Sequence, residues 1–460
     1  MKGKGFMLFM LGIMIILFSA CSSGGEQAGG ESSVPVNSMN ETETDSQQNV
    51  EAAGEPAAEE EEPAEPVELY FYSPSGDYDT EGFMRVYGNA IQEAFPHVTP
   101  KYHEADRGLG TLITAGEKID VLYSSIGQTA LSVLAYDMQF DISELIEKHN
   151  FDLSRLEPTT VEIQRLLADG GMYGIPVSTN SLTMYYNRDL FDQFGVEYPR
   201  DGMSWDEVYD LTRVMSRTVD GVRYHGLILS IDHTMMLDPL SPTYIDKDTN
   251  QALFSTDVFK RAFQTITNFY HISGNEVDHS TRDYGSQLKL YQDEKVVGMF
   301  LGLSKLGATH FADHTNLNWD VASYPHYEDQ PDIGPQSYPN YFYISQVSEH
   351  KDVAFQVLAY MTDEQFQLRL ARQGEFPILQ NTNLMDEYAA DLPHMQDKNI
   401  SALLPDKFAM PAFQGEFQQI GKVELREAYY NVILGLQDVN TALREADERI
   451  NQRIAERLAQ

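Results

Sequence analysis

From Val67 onward the chain repeats one pattern, in which a short apolar run is followed by a segment with helical periodicity. The first instance is VELYFYS, residues 67–73, followed by apolar residues at helical spacing from Phe83 to Phe95. A period of two residues indicates a strand, and a period near 3.6 indicates a helix. Strands that alternate with helices predict an α/β fold with a parallel or mixed sheet that is covered on both faces.

Further strands and helices are predicted in the same way. Ser204 and Glu207 have the spacing of a capping box, as do Asp141 and Glu144, so a helix is expected to start at each pair. Trp205 then lies on the apolar face of its helix and is expected in the core. The other predicted strands cover residues 119–125, 226–231, 296–301, 319–324 and 341–345, and the other predicted helices cover residues 352–361, 362–372 and the segment from Val439 onward.

Length and charge limit the possible functions. The 460 residues are enough for two domains of about 200 residues each. The chain has 32 Lys and Arg against 70 Asp and Glu, and its formal net charge is −38. Because binding to DNA or RNA depends on a basic surface, we expect no nucleic-acid partner.

The N-terminus resembles the signal of a bacterial lipoprotein. Lys2 and Lys4 precede an apolar run of 15 residues, and Cys21, the only cysteine, follows it. This order is that of a secretory signal peptide, and the run is shorter than the ~20 residues that span a bilayer. Cys21 occupies the place of the lipid-modified cysteine, although Phe18 replaces the usual Leu. We therefore predict a signal peptide over residues 1–20 and a lipid anchor on Cys21 at the extracytoplasmic face of the cell membrane.

Residues 21–66 are predicted to form a disordered acidic linker behind the lipidated cysteine. Residues 22–66 carry a charge of −12, contain no Lys or Arg, and are rich in Gly, Ser, Glu, Pro and Ala. Such a composition has too few apolar side chains to offset the entropy lost on folding. Because there is no second cysteine, no disulfide within the chain can stabilise the exported fold.

Familiar catalytic and metal-binding motifs are missing. The sequence has no P-loop, HExxH, G-x-S-x-G or paired CxxC motif. The segment 108–110 lacks the third glycine of a nucleotide-binding fingerprint. His97 and His103 fit a solvent-exposed surface better than a metal site. Tyr185 and Tyr186 fit a strand better than an iron-binding pair. We predict no catalytic residue, metal or cofactor, although the carboxylate pair of a glycosidase could lie anywhere among 70 acids.

Tyrosine is abundant, with 26 residues, and several tyrosines lie where predicted strands end. A tyrosine ring can cover the apolar face of a sugar, whereas for any single tyrosine a packing role is the alternative. Open α/β sheets bind ligands at the carboxyl ends of their strands. Two groups of candidate residues lie at such ends: Tyr72, Ser73 and Asp77, and Tyr123, Ser124 and Ser125.

A longer series of motifs carries a family resemblance. Residues 170–215 combine a Y-G-I-P turn, a Y-Y-N-R-D-L-F strand-to-helix step and an S-W-D-E helix start. The segments IDVLYSS, VVGMFLG, WDVASYP and YFYISQVSEHKDVAFQVLAYMTDEQFQ support it. In this order over nearly all of residues 67–460, the motifs resemble bacterial extracellular solute-binding proteins of family 1, the carbohydrate-binding lipoproteins of ABC importers.

The resemblance implies a two-lobed, periplasmic-binding-protein-like (Venus-flytrap) fold with a hinge of several crossing segments. Crossings are expected near residues 175–180, before Tyr341, and near residues 376–380. The implied N-terminal lobe comprises residues 67–175 plus 338–378, and the implied C-terminal lobe comprises residues 176–337 plus 379–460.

The resemblance also implies a set of ligand contacts at the strand ends, in the first crossing and in the second lobe. One departure concerns Leu303-Ser304-Lys305, which stands where many carbohydrate-binding members carry Trp. Lys305 could bind hydroxyl groups or the carboxylate of an acidic sugar. The predicted ligand-binding residues are Tyr72, Ser73, Asp77, Tyr123, Ser124, Ser125, Ser178, Asn180, Asp232, Lys305, Tyr341 and Phe413.

These expectations combine into one functional hypothesis. The protein is predicted to be a monomeric, non-catalytic lipoprotein that captures a sugar or oligosaccharide between two lobes and delivers it to the permease of an ABC importer. Two alternatives stay open: a binding protein for a non-sugar solute, such as a peptide, polyamine, metal or other ion, and a surface glycan-binding or carbohydrate-active protein. The same fold can serve each of them.

Overall fold

The computed structural model describes residues 65–76, 78–380 and 382–459. The predicted signal peptide, Cys21, the linker up to residue 64, and Asp77 lie outside the described residues. The strands are β1 (Val67–Tyr72), β2 (Val98–His103), β3 (Val121–Ser125), β4 (Gly174–Thr179), β5 (Leu182–Asn187), β6 (Arg217–Val219), β7 (Val222–Leu229), β8 (Val297–Leu303), β9 (Trp319–Ala322), β10 (Gly334–Gln336), β11 (Asn340–Ile344), β12 (Phe376–Pro377) and β13 (Phe408–Ala409).

The helices are α1 (Thr80–Phe83), α2 (Asn89–Ala94), α3 (Leu109–Thr114), α4 (Ile126–Ser132), α5 (Ser143–Lys148), α6 (Pro158–Leu167), α7 (Arg188–Phe194), α8 (Trp205–Met215), α9 (Ile231–Met236), α10 (Asp257–Asn268), α11 (Tyr284–Gln292), α12 (Lys351–Tyr360), α13 (Glu364–Arg372), α14 (Gln418–Ile433) and α15 (Val439–Leu458). In the part of the chain that is described, none of these helices combines the length and apolar character needed to cross a membrane.

Two mixed sheets organise the fold. The first sheet has the strand order β12-β4-β11-β3-β1-β2, and the second has the order β6-β7-β8-β5-β9. In the first sheet, β1 runs parallel to β2 and β3, whereas β11 runs antiparallel to β3 and β4. Separate apolar clusters cover the two faces of each sheet. The predicted α/β class, with helices on both sides of mixed sheets, is confirmed.

The chain passes between the two sheets more than once. β4 belongs to the first sheet over its whole length and β5 belongs to the second, so Asn180 and Ser181 form the first crossing. The change of sheet thus falls between Thr179 and Leu182. A second crossing leads from β9 in the second sheet to β11 in the first and passes through Tyr338.

Local signals predicted some helix starts and not others. Glu207 N donates to Ser204 Oγ over 3.2 Å and Ser204 N donates to Glu207 Oε2 over 2.8 Å, so the capping box before α8 is confirmed. Trp205 is buried, as expected. At α5 no capping box closes, because Asp141 Oδ1 instead accepts hydrogen bonds from Ser143 N and from Met172 N, next to β4. A local bond to Ser143 and a tertiary bond to Met172 therefore replace the predicted capping box.

The predicted helix between residues 83 and 95 is interrupted. α1 and α2 are joined by a π-helical turn over Met84–Gly88, and the helical backbone ends at Phe95 before Pro96. The wider turn keeps Phe83, Tyr87 and Ile91 buried against the first sheet. A π-turn inserts an extra residue, so its position does not follow from apolar periodicity.

Candidate ligand-binding cavity

A cavity of about 820 Å³ lies between the ends of the two sheets. It is open to solvent and receives residues from the ends of β3 and β8, from both crossings and from the segment between α13 and β12. Ligand sites in open α/β folds lie at such strand ends, and the volume is typical of a small-molecule site. The polar and aromatic lining residues are Ser75, Tyr78, Arg85, Tyr123, Ser125, Gln128, Asn180, Lys305, Thr309, Tyr338, Asn340, Gln373, Glu375 and Asp391.

One wall of the cavity contains an ion pair between the two lobes. Lys305, after β8 of the second sheet, bonds through Nζ to Oε1 of Glu375, which precedes β12 of the first sheet. The hydroxyl of Tyr78 donates to the same carboxylate oxygen over 3.2 Å. Burial, followed by the negative charge of Glu375, holds the pKa of Tyr78 well above its usual value. Tyr78 therefore stays a neutral hydrogen-bond donor to Glu375.

Asn180 holds the first crossing against the end of β8. Its Oδ1 accepts hydrogen bonds from Ser181 N (2.9 Å), Ser304 Oγ (2.8 Å) and Lys305 N (3.0 Å). Asn180 is buried, and a buried amide oxygen with several donors is a rigid attachment point. The backbone of Lys305 is therefore fixed by the crossing itself.

Aromatic rings supply the apolar part of the lining. Tyr123 is only 4% exposed, because its ring packs against Phe342 at 4.8 Å between centroids. Tyr78 and Tyr338 are half-buried, and the hydroxyl of Tyr338 lies 3.1 Å from Ser125 Oγ. Tyr78 and Tyr338 consequently offer more ring surface to a ligand than Tyr123 does.

A second contact joins the lobes at a different place. Lys422 of α14 is buried, and its Nζ donates to the backbone oxygen of Gly127 in α4 over 2.8 Å. Burial lowers the pKa of Lys422 to about 8, against a smaller opposite effect from Asp232. Asp232 itself accepts hydrogen bonds from Arg426 Nε over 2.8 and 2.9 Å.

The structure brings together four of the predicted ligand-binding residues. Tyr123, Ser125, Asn180 and Lys305 all line the cavity. Ser178 lies behind this lining, because its Oγ accepts a hydrogen bond from the Nδ2 of Asn340 over 3.1 Å.

Other predicted residues lie away from the cavity lining. Tyr341 is fully buried on the opposite face of β11 from Phe342, since side chains alternate along a strand, and its hydroxyl donates to Thr160 O over 2.7 Å. Tyr72 packs in the same cluster as Tyr341. The remaining predicted residues that do not line the cavity are Ser73, which bonds Ser75; Ser124, which bonds Ser132; Asp232, which pairs with Arg426; and Phe413, which lies near Lys247.

Three prominent residues of the lining were not predicted from the sequence as ligand contacts. Glu375 follows a helix and precedes a two-residue strand, so no strand-end signal marked it. Tyr338 lies in the predicted second crossing, which was the available signal, and Tyr78 lies after β1, next to the predicted Asp77. Within the described ranges, no group of three His, Cys, Asp or Glu side chains is arranged to hold a metal ion.

Comparisons with known proteins agree with this architecture. A sugar transporter from Rhizobium etli, solved in an open conformation, matches with a TM-score of 0.67 and 20% identity, over 84% of this chain and 99% of that chain. An ABC substrate-binding protein from Listeria monocytogenes, solved with cycloalternan, matches with a TM-score of 0.67 and 18% identity, over 85% and 100%. UgpB from Mycobacterium tuberculosis, solved with glycerophosphocholine, matches with a TM-score of 0.64 and 18% identity, over 86% and 100%.

These structural matches confirm the predicted two-lobed fold. The sequence model described as "Bacterial extracellular solute-binding protein" matches residues 52–368. This match confirms the resemblance carried by the motifs. The members of the matched family are binding proteins that act outside the cytoplasm. The chain belongs to the bacterial extracellular solute-binding protein family.

Proposed function

We propose that this protein captures a sugar or an oligosaccharide in the cavity between its lobes and delivers it to the permease of an ABC importer. The observation that carries the proposal is the lining of the cavity, which combines half-buried tyrosine rings with neutral hydrogen-bonding side chains. Tyr78 and Tyr338 supply rings, and Gln128, Asn180 and Asn340 supply amides. Sugars present both apolar C–H faces and hydroxyl groups, so they match both kinds of surface.

Binding and closure are coupled in this proposal. Lining residues come from the first sheet, from the second sheet and from the crossings between them. A ligand that contacts both lobes binds more tightly when the lobes meet, so its binding free energy favours the closed conformation. The permease is then presented with a closed, loaded protein, and no covalent step is needed. We accordingly propose a binding protein without enzymatic activity.

The proposed organisation follows the sequence expectations. A signal peptide covers residues 1–20, a lipid on Cys21 anchors the protein to the membrane, and the linker up to residue 66 separates the anchor from the fold. The lobes comprise residues 67–175 plus 338–378 and residues 176–337 plus 379–460, with the first crossing at Asn180. The protein acts as a monomer.

A non-sugar solute is the second candidate. UgpB, one of the structural neighbours, was solved with glycerophosphocholine. In addition, Leu303-Ser304-Lys305 stands where many carbohydrate-binding relatives carry a tryptophan, which removes one stacking surface. A solute with a charged group would use Lys305 or Glu375 as its principal contact.

A thermal-shift screen tests the proposal. The purified protein is heated with mono- and oligosaccharides, glycerophosphocholine, amino acids, peptides, polyamines and metal ions, because a ligand that binds the native state raises the melting temperature. We expect a rise with one glycan series and no release of reducing sugar from it. A response restricted to a cation, peptide or phosphodiester would overturn the sugar assignment, and turnover of the glycan would overturn the non-catalytic role.

A further inference from the structure

The charges that line the cavity fall into an interior pair and an exposed rim. Lys305 and Glu375 form the interior pair, with side chains 19% and 7% exposed, so that Lys305 is partly buried and Glu375 is buried. Arg85 and Asp391 are exposed at the rim, and Asp391 is paired with Arg372 at 2.6 Å. Among the described lining residues the two interior charges therefore neutralise each other.

We infer that the Lys305–Glu375 pair makes the cavity select neutral polyhydroxy ligands and reject their acidic and amino counterparts. The inference rests on the proposed function, since it names the class of sugar that the same cavity takes. It assigns the specificity to two residues from different lobes.

The chemistry of the hydroxyl group explains the selection. One hydroxyl can accept a hydrogen bond from the Lys305 ammonium and donate one to the Glu375 carboxylate, so it satisfies both members of the pair. A ligand carboxylate at the same place would face the negative charge of Glu375, and a ligand ammonium would face the positive charge of Lys305. Such juxtapositions of like charges in a partly buried site strongly disfavour the wrong ligand.

The hydrogen bonding of Glu375 supports a role in ligand binding. Its Oε1 already interacts with Lys305 and Tyr78, whereas its Oε2 is buried and has no hydrogen-bond partner among the described residues. Buried carboxylate oxygens without a donor are rare because they lose hydration without compensation. A ligand hydroxyl supplies the missing donor once the carboxylate turns this oxygen toward the cavity as the lobes close on the ligand.

Both members of the pair are held by the backbone around them. Lys305 N is bonded to Asn180 Oδ1, as described above. Glu375 follows Gly374, which has a φ of 85°, and a Cβ on Gly374 would lie 2.7 Å from the Cβ of Ala308. The glycine thus permits the close approach of the two lobes at this point. The pair is positioned before a ligand arrives, which favours selectivity over adaptability.

The test compares ligands that differ only in charge. Oligosaccharides of glucose, galactose and mannose are titrated calorimetrically, each beside its uronate and amino-sugar counterpart, into the wild-type protein, Lys305→Met, Glu375→Gln and the double variant. For the wild type we expect a neutral oligosaccharide to bind at least about tenfold more tightly than either counterpart. Glu375→Gln should improve binding of the uronate relative to the neutral sugar, and Lys305→Met should do the same for the amino sugar.

The double variant is the control for net charge, because it removes one positive and one negative charge, and without the pair its preference for the neutral ligand should shrink. Circular dichroism confirms that each variant is folded, and the double variant keeps the test valid where a single variant unfolds. A wild-type preference for a uronate or an amino sugar overturns the inference and leaves the proposed function intact. Equal weakening of all three ligands in both single variants also overturns it, because the pair would then be only structural. Binding of no carbohydrate at all overturns the proposed function and the inference together.

Discussion

Two of the lysines that join the lobes, Lys305 and Lys422, do so in different ways. Lys305 meets a carboxylate inside the cavity, whereas Lys422 meets the backbone oxygen of Gly127 outside the cavity lining. A carboxylate partner can be exchanged for ligand hydroxyls, but a backbone carbonyl in a helix has no comparable freedom. The difference separates selection of the ligand, at Lys305, from the contact that only holds the lobes together, at Lys422.

Burial separates the two lysines further. Lys422 is 8% exposed and its pKa is lowered to about 8 by burial, with no acidic side chain bonded to its ammonium in the described structure. Lys305 is more exposed and is bonded to a carboxylate. A buried lysine without a bonded acid carries a desolvation cost that an ion pair partly offsets. The two contacts should therefore respond differently to substitution and to pH.

The largest effect is expected from Asn180→Ala, which removes the support of Lys305. Three donors, Ser181 N, Ser304 Oγ and Lys305 N, lose a buried acceptor. We expect the free energy of unfolding to fall by about 2–4 kcal/mol, because each unsatisfied buried donor costs about 1–3 kcal/mol and part of the loss is recovered by relaxation. Chemical denaturation measures it, with the exposed Asn316→Ala as the control. A loss no larger than that of the control would show that Asn180 does not hold the crossing.

The second prediction concerns Lys422 and pH. The pKa of Lys422 in the folded protein, about 8, lies below the value of 10.5 for a solvent-exposed lysine. Between these values the unfolded chain binds more protons at this site than the folded chain does, so this site makes the folded protein more stable as pH rises. Relative to Lys422→Met, the wild type should gain about 2–3 kcal/mol of unfolding free energy between pH 7.5 and 10.5.

Denaturation at several pH values measures this gain. The matched control is Lys407→Met, which replaces an exposed lysine and should show no such pH-dependent difference from the wild type. If the unfolding free energies of Lys422→Met and Lys407→Met had the same pH dependence, burial of Lys422 would not lower its pKa, and the proposed difference from Lys305 would be lost.

Sequence patterns predicted the parts of the molecule that depend on neighbours in the chain. The capping box at Ser204 and Glu207 formed because both partners lie within one helical turn. The strand ends brought Tyr123 and Ser125 to the cavity for a related reason, since parallel strands place their carboxyl ends at one edge. Tyr341 shows the limit of this reasoning, because one step along β11 separates Asn340, which lines the cavity, from a residue on the other face.

Contacts between distant segments could not be read from the same patterns. Glu375 reaches the cavity only because α13 and the short β12 place it opposite Lys305, 70 positions earlier in the chain. The Asp141 carboxylate likewise bonds Met172 N rather than completing a helix cap. The family resemblance pointed to Lys305 as a departure from the common pattern, yet its partner depended on how two lobes meet.

A smaller effect, on ligand affinity, is expected from substitution of Tyr338, which lies in the second crossing and lines the cavity. Tyr338→Ala should weaken binding of the neutral oligosaccharide that binds most tightly by about 1–3 kcal/mol, because a truncated aromatic anchor loses ring contact and leaves space for water. Tyr338→Phe keeps the ring and should lose less affinity. The control is Tyr136→Ala, which replaces an exposed tyrosine that does not line the cavity and should bind the ligand as the wild type does. Calorimetric titration distinguishes these outcomes. If Tyr338→Phe and Tyr338→Ala lose the same affinity, the hydroxyl near Ser125 matters and the ring does not.

The smallest effect, and the sharpest test of the comparison, is the ligand profile of Lys422→Met. Because the Lys422 ammonium donates its hydrogen bond to the backbone of Gly127 and does not line the cavity, its removal should change the affinity for neutral, acidic and amino sugars by one common factor of about two- to tenfold, as the loss of one hydrogen bond predicts. The ratio between the three ligands should stay at its wild-type value, whereas the Lys305 and Glu375 variants change that ratio. A shift in the ratio for Lys422→Met would mean that both bridging lysines take part in recognition, and that closure and selection are not carried by separate contacts.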